Sequence, residues 1–231
     1  MRKPRRLSAE ELAPYVWELP RAVRGRWGNP AQARIGHEPP PPPAPIDWRA
    51  LYGNDHPVEI EVGSGKGLFL LNAATARPDL NFFGIEIIRK YQLYAATRIA
   101  GRGLANVKTC CGDAKLVLRD YAPPGSVAAV HVYFPDPWWK TRHKKRLLFT
   151  PEFAELVLRT LRPGGRLHFV SDVRDYFEMV TGLLAGVAGF RSLPPPEPAD
   201  PRHDMDYLTN FERKFRKEGR PIYRSLYTKR E

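Results

Sequence analysis

Cysteine is nearly absent: Cys110 and Cys111 are the only two, and they are adjacent. Neighbouring cysteines seldom bridge each other and offer no Cys/His ligand spacing, which argues against a disulfide framework and a structural zinc. A reducing, cytoplasmic setting and no metal site are therefore expected. No apolar run reaches the ~18 residues a membrane-spanning helix needs, and mean hydropathy is −0.46, so no membrane association is expected. The basic first residues lead into no apolar stretch of the secretory kind, and no internal repeat is visible. Acidic residues are the last shortage. Against 37 Lys+Arg stand 25 Asp+Glu, a net charge of +12. A surplus of that size on a small chain points to a polyanionic partner, nucleic acid first.

What the chain does have suits one domain. Its 231 residues are 42% hydrophobic and 27% charged, which is enough for a packed core and argues against wholesale disorder. Residues 1–45 read as a flexible, basic, proline-rich arm: Arg2, Lys3, Arg5, Arg6, Arg21, Arg24, Arg26 and Arg34 precede five consecutive prolines at 39–43. Such a proline run excludes helix and sheet and favours a stiff spacer. At most a short helix is expected, over residues 8–13.

Residues 46–231 read as the folded domain. Short apolar segments at 58–62, 81–86, 107–111, 127–134 and 166–171 read as strands, with helical patterns at 68–76, 88–100, 115–121, 151–161 and 173–187 between and after them. The alternation predicts right-handed crossovers and a parallel sheet covered on both faces. A proline-rich break at 194–201 precedes a helix at 209–217, with Thr209 and Glu212 at capping-box spacing. Residues 222–228 alternate as a last strand, antiparallel to the others. The expected architecture is a three-layer α/β sandwich.

The chemistry gathers at the strand ends. Gly63, Gly65 and Gly67 sit where the first strand becomes a helix, a place for tight turning and close ligand approach. Lys66 is not a P-loop lysine, because its spacing to the first glycine is too short and no Ser/Thr follows. Glu61 precedes the turn and suits a cationic ligand end; Glu86 ends the next strand, where an acid takes ribose hydroxyls; Asp113 follows the third. Three acids above one sheet edge suit a ligand with a ribose, an adenine and a positive charge. S-adenosylmethionine has all three. The two phosphates of a nicotinamide dinucleotide would be repelled, so an oxidoreductase ranks last. The Arg-Pro-Gly-Gly run at 162–165 supports the same fold as a helix stop.

The most specific stretch is FPDPWWKTRHKKR, residues 134–146. Pro135 and Pro137 restrict the backbone of Asp136 and fix its direction, the aromatics can brace a planar base, and Lys140, Arg142, Lys144, Lys145 and Arg146 carry five positive charges without one acid.

With that stretch, the segments IEVGSGKG, FFGIE, CGDA and LRPGGRLHFVSD and the late Thr209-Asn210-Phe211-Glu212, the chain resembles the bacterial-type tRNA (guanine-N7)-methyltransferases, the TrmB family, from about Asp47 to Thr228. The resemblance implies a Rossmann-like class I methyltransferase with a mostly parallel, seven-stranded sheet and an antiparallel last strand. It implies methyl transfer from S-adenosylmethionine to N7 of a guanine at position 46 of tRNA, in the variable loop. Glu61, Gly63, Gly65, Glu86, Asp113 and Asp136 are then cofactor-site residues, with Asp136 catalytic. Lys140, Arg142, His143, Lys144, Lys145, Arg146, Asp172, Thr209, Asn210, Phe211 and Glu212 match positions that bind tRNA. Leu147 departs from the family, whose members often carry a basic residue there. A same-fold methyltransferase acting on another RNA, a protein or a small molecule, and a non-catalytic RNA-binding module, stay open as alternatives. Monomer and homodimer are equally compatible with the sequence.

Overall fold

The computed structural model describes residues 7–20, 43–137, 147–198, 200–203 and 205–231. The site candidates Lys140, Arg142, His143, Lys144, Lys145 and Arg146 lie outside the described residues, as do most of the arm and the proline run before Pro43.

Eight described strands form one sheet, in the order β1-β4-β3-β2-β5-β6-β8-β7. They are β1 (Val16–Trp17), β2 (Val58–Val62), β3 (Asn81–Glu86), β4 (Val107–Cys111), β5 (Val127–Tyr133), β6 (Leu161–Ser171), β7 (Phe190–Leu193) and β8 (Tyr223–Lys229). Pairing is parallel from β1 through β6, and β8 runs antiparallel to both β6 and β7. Chain order reverses at β2, which leads to β3 on one side while β5 lies on the other. The crevice beyond the carboxyl ends of β2 and β5 is thus the topological switch point, where ligands bind in such sheets.

Helices cover both faces because the strands alternate apolar residues to both. Ile60, Phe83, Val130, Val132 and Phe169 bury one face beneath helices α5 (Ala114–Leu116), α6 (Pro151–Thr160) and α7 (Arg174–Ala185) and the π turn Val117–Tyr121. Phe82 and Val107 meet α3 (Leu68–Ala76) and α4 (Arg89–Ala100) on the other.

Three expectations are corrected. The sheet has eight strands rather than seven, because part of the supposed flexible arm joins it. Ser8 and Glu11 close a capping box on α1 (Ala9–Leu12), and β1 then pairs in parallel with β4. The Trp17 ring packs edge-on against Phe83 and Tyr121, with centroids 5.8 and 5.3 Å away. Leu19 is buried against Gly112, where a Cβ would stand 2.4 Å from its Cδ1. Residues 7–20 are therefore docked, and α2 (Trp48–Tyr52) is held by Trp48 Nε1 donating to Ser126 Oγ at 3.0 Å. Thirdly, helix α6 ends before Leu161, and the Arg-Pro-Gly-Gly run bulges inside β6: Leu161 opposes Val127, yet Arg166 opposes Ala129. Glycine is needed at 165, where a Cβ would lie 2.8 Å from the Arg162 carbonyl and 3.1 Å from that of Val127.

Candidate active site

The loop after β2 is built for close approach. Gly63, Gly65 and Gly67 hold φ of +78°, +52° and +71°, a left-handed backbone that side chains resist. The loop is pinned to β3, since Gly63 N and Ser64 N both donate to the Ile85 carbonyl, at 2.8 and 3.1 Å. At Gly67 a Cβ would stand 2.8 Å from Ala95 Cβ, so the loop presses directly on α4.

Glu61 lies beneath this loop, only 3% exposed, and its Oε2 is buried without a hydrogen-bond partner among the described residues. Burial first, and the charge of Glu86 second, push its pKa up to about 8. Such a carboxyl lacks a cation. Glu86, also buried, accepts from Gly65 N and Ile88 N at 2.8 Å each. Each of its oxygens retains a lone pair for a ligand hydroxyl. The same carboxylate thus also shapes the glycine loop. Asp113, exposed, caps α5 by accepting from Lys115 N at 2.8 Å. The three acids stand at the carboxyl ends of three adjacent strands, as the alternation of strand and helix predicted.

Asp136 reaches the same edge from β5. Phe134 before it has φ +52°, uncommon outside glycine, and the next residue is proline, so the chain turns sharply out of the sheet. Asp136 is exposed and makes no hydrogen bond to a described residue. The Tyr176 phenol on α7 is pushed up mainly by burial, and the charge of Asp136 adds to this, which places the carboxylate near that ring.

The remaining substrate candidates divide. Asp172, at the end of β6, is ion-paired with Arg220, whose guanidinium lies 4.1 Å from the centre of the Phe215 ring. Thr209 caps α8 (Asn210–Lys217) by accepting from Glu212 N at 3.0 Å. Glu212 accepts from Leu208 N at 2.7 Å and pairs with Arg224 at 2.6 Å, 3% exposed. Both side chains are consumed in holding the segment. Asn210 and the 56%-exposed Phe211 are what it presents; Phe211 lies 6.2 Å from Phe134 and 6.0 Å from Phe215.

Sequence reasoning missed a buried polar chain on the same sheet face. Glu59 accepts from Arg77 at 2.7 Å and contacts His131 Nε2 at 2.8 Å, and His131 Nδ1 lies 2.7 Å from the Tyr133 hydroxyl. His168 stacks on His131, with centroids 4.7 Å apart. Burial alone would raise Glu59, but the hydrogen bonds and charges of His131 and Arg77 hold it down to about 2. Burial lowers both histidines, His168 to about 3. The legible signal was the alternation in Val-Glu-Ile-Glu-Val, since a central parallel strand is normally apolar throughout.

A family described as "Putative methyltransferase" matches residues 55–225. A curated tRNA (guanine-N(7)-)-methyltransferase of Rhodopirellula baltica is 50% identical over 194 residues, covering 81% of this chain and 72% of that protein. Its namesake from Alcanivorax borkumensis is 38% identical over 185 residues, covering 80% and 77%. Among solved structures, the aminoglycoside resistance methyltransferase NpmB1 matches with a TM-score of 0.55 at 20% identity, over 77% of this chain and 90% of that one. The antibiotic-resistance methyltransferase Kmr also gives 0.55, at 19% identity over 80% and 95%. At those identities the structures show the class I methyltransferase fold, and the curated relatives go further: the chain belongs to the tRNA (guanine-N7)-methyltransferase family.

Proposed function

We propose that this chain transfers a methyl group from S-adenosylmethionine to N7 of guanine 46 in the variable loop of tRNA, in the cytoplasm. The observation that carries the proposal is the buried Glu61 carboxyl beneath a glycine loop, its Oε2 without a hydrogen-bond partner among the described residues, at the switch point shared with Asp136, in a chain 50% identical to a named relative. S-adenosylmethionine, when bound, supplies an electrophilic methyl on a cationic sulfur. Glu61 would take the positively charged amino-acid end, Glu86 the ribose hydroxyls, and Asp113 the adenine side.

Guanine N7 already has a lone pair, so no base need remove a proton before attack. The protein's task is alignment, which can supply up to ~7–11 kcal/mol. Positive charge moves onto the purine as the bond forms. Asp136, exposed on a turn that two prolines stiffen, would hold the N–H edge of the base and bind it more tightly as it becomes cationic. Phe211 offers a ring on which the base can lie, beside Phe134. Lys140 and the residues up to Arg146 would contact phosphates, giving affinity more than choice of sequence.

Incubation with labelled S-adenosylmethionine and unmodified tRNA, followed by nucleoside analysis, is expected to yield 7-methylguanosine. A transcript with adenosine at position 46 should yield none. Label on any other nucleoside, or on protein instead, refutes the proposal.

A further inference from the structure

The stretch 89–103 holds Arg89, Lys90, Arg98 and Arg102 and no acid. Lys90, Tyr94, Arg98 and Arg102 are spaced by four, one row along α4 and the turn beyond it. Solvated helix faces usually mix both signs of charge. Here, among the described residues, only Arg89 meets an acid, the Glu18 carboxylate at 2.9 Å. Lys90 and Arg102 are exposed and form no ion pair with a described residue.

Three further contacts make the row a surface. The glycine loop presses on α4 at Ala95, which brings the exposed Lys66 ammonium to 6.0 Å from the centres of both the Tyr91 and Tyr94 rings. Arg98 Nη1 donates to the Lys66 carbonyl at 2.8 Å, tying row and loop together. Arg213 on α8 lies close enough to act electrostatically on Arg98, as does Arg102. Like charges are thus gathered from the loop, α4 and α8, interleaved with half-exposed phenol rings. At its α8 end the surface adjoins Asn210 and Phe211, at the rim of the crevice.

We infer that this face of α4, with Lys66, is a second tRNA-docking surface that holds the sugar–phosphate backbone outside the nucleotide being methylated. The inference rests on the functional reading above. Cations set beside stacking rings are what a strand of nucleic acid needs, and Lys66, Lys90 and Arg102 pair with no acid among the described residues. Arg213 lies 3.4 Å from the Asn210 side-chain oxygen, and Phe211 beside it packs near Phe134, two residues before Asp136, so this end of the surface borders the proposed guanine site.

The test compares wild type with Lys90→Gln/Arg102→Gln and, separately, with Tyr91→Ala. Binding of a fluorescent, unmodified tRNA transcript is followed by anisotropy across a salt series. With two phosphates no longer neutralised, the log–log salt slope should fall by about 1.4–1.8 and affinity by about tenfold at moderate salt. Tyr91→Ala should cost about fivefold or more with the slope unchanged. Cofactor affinity and the single-turnover rate at saturating tRNA should stay at wild-type values. Equal tRNA affinity and slope in wild type and the double variant overturn the docking surface. So does a loss confined to the single-turnover rate. Failure of the functional reading looks different: wild type would bind tRNA with strong salt dependence and methylate none of it.

Discussion

Cofactor binding should expel a proton from Glu61. In the ligand-free protein burial and the Glu86 charge hold its pKa at about 8, so it is protonated at neutral pH. A cation brought against Oε2 favours the charged form and pulls the pKa back toward the carboxylate range. Between the bound and free values each pH unit should raise cofactor affinity about tenfold, equivalent to about 1.4 kcal/mol, and the gain should flatten above about pH 8. The stability of the ligand-free protein moves the other way. An acid whose pKa rises from 4.5 to about 8 on folding keeps a proton that the unfolded chain loses. Stability is therefore full below about pH 4.5 and falls as pH rises toward 8, by up to about 1.4 kcal/mol per unit. Glu61→Gln keeps the shape and cannot ionise. It should abolish both slopes, stabilise the ligand-free protein at pH 8, and weaken the cofactor there by about 1.5–3 kcal/mol, the range for a hydrogen bond to a charged group. Calorimetric titration in two buffers of different ionisation heat counts the protons released. No release at pH 7, with an affinity flat from pH 6 to pH 8, refutes the argument.

Asp136→Asn deletes charge while keeping size, and should lower the single-turnover methylation rate by ~10²–10³ with tRNA and cofactor binding changed far less; a near-normal rate removes the residue from catalysis. Trp17→Ala should destabilise the protein by about 2–3 kcal/mol, less than the ~3–5 of a fully buried ring, because Trp17 is only half-buried. Urea unfolding measures this, and an unchanged midpoint would mean that β1 is dispensable. Glu212→Ala leaves the Arg224 guanidinium without its carboxylate and should cost about 3–5 kcal/mol. Its methylation loss should therefore follow melting temperature; a stable but inactive variant would instead assign Glu212 to the substrate.

Much of the molecule is written locally in the chain. The glycines at 63, 65 and 67, the acids closing β2 and β3, and the proline-flanked Asp136 have meaning from their neighbours alone, because turns and strand ends impose short-range backbone demands. Alternation of strand and helix then places those acids along one edge, since parallel crossovers leave no other arrangement. Pairings between distant segments were not legible. Thr209 and Glu212 carry a helix-cap spacing, but only the fold brings Arg224 onto Glu212 and Arg220 onto Asp172, so that two expected tRNA ligands are already ion-paired. Docking of residues 7–20 depended on a cleft formed by Phe83, Tyr121 and Gly112, from three separate parts of the chain. The polar chain through Glu59, Arg77, His131 and Tyr133 exists because β2 and β5 lie side by side with their alternate residues on one face. Sequence alone dictates backbone conformation and which residues prefer burial; which buried charges meet, and which acid is left without a partner, is decided by long-range packing.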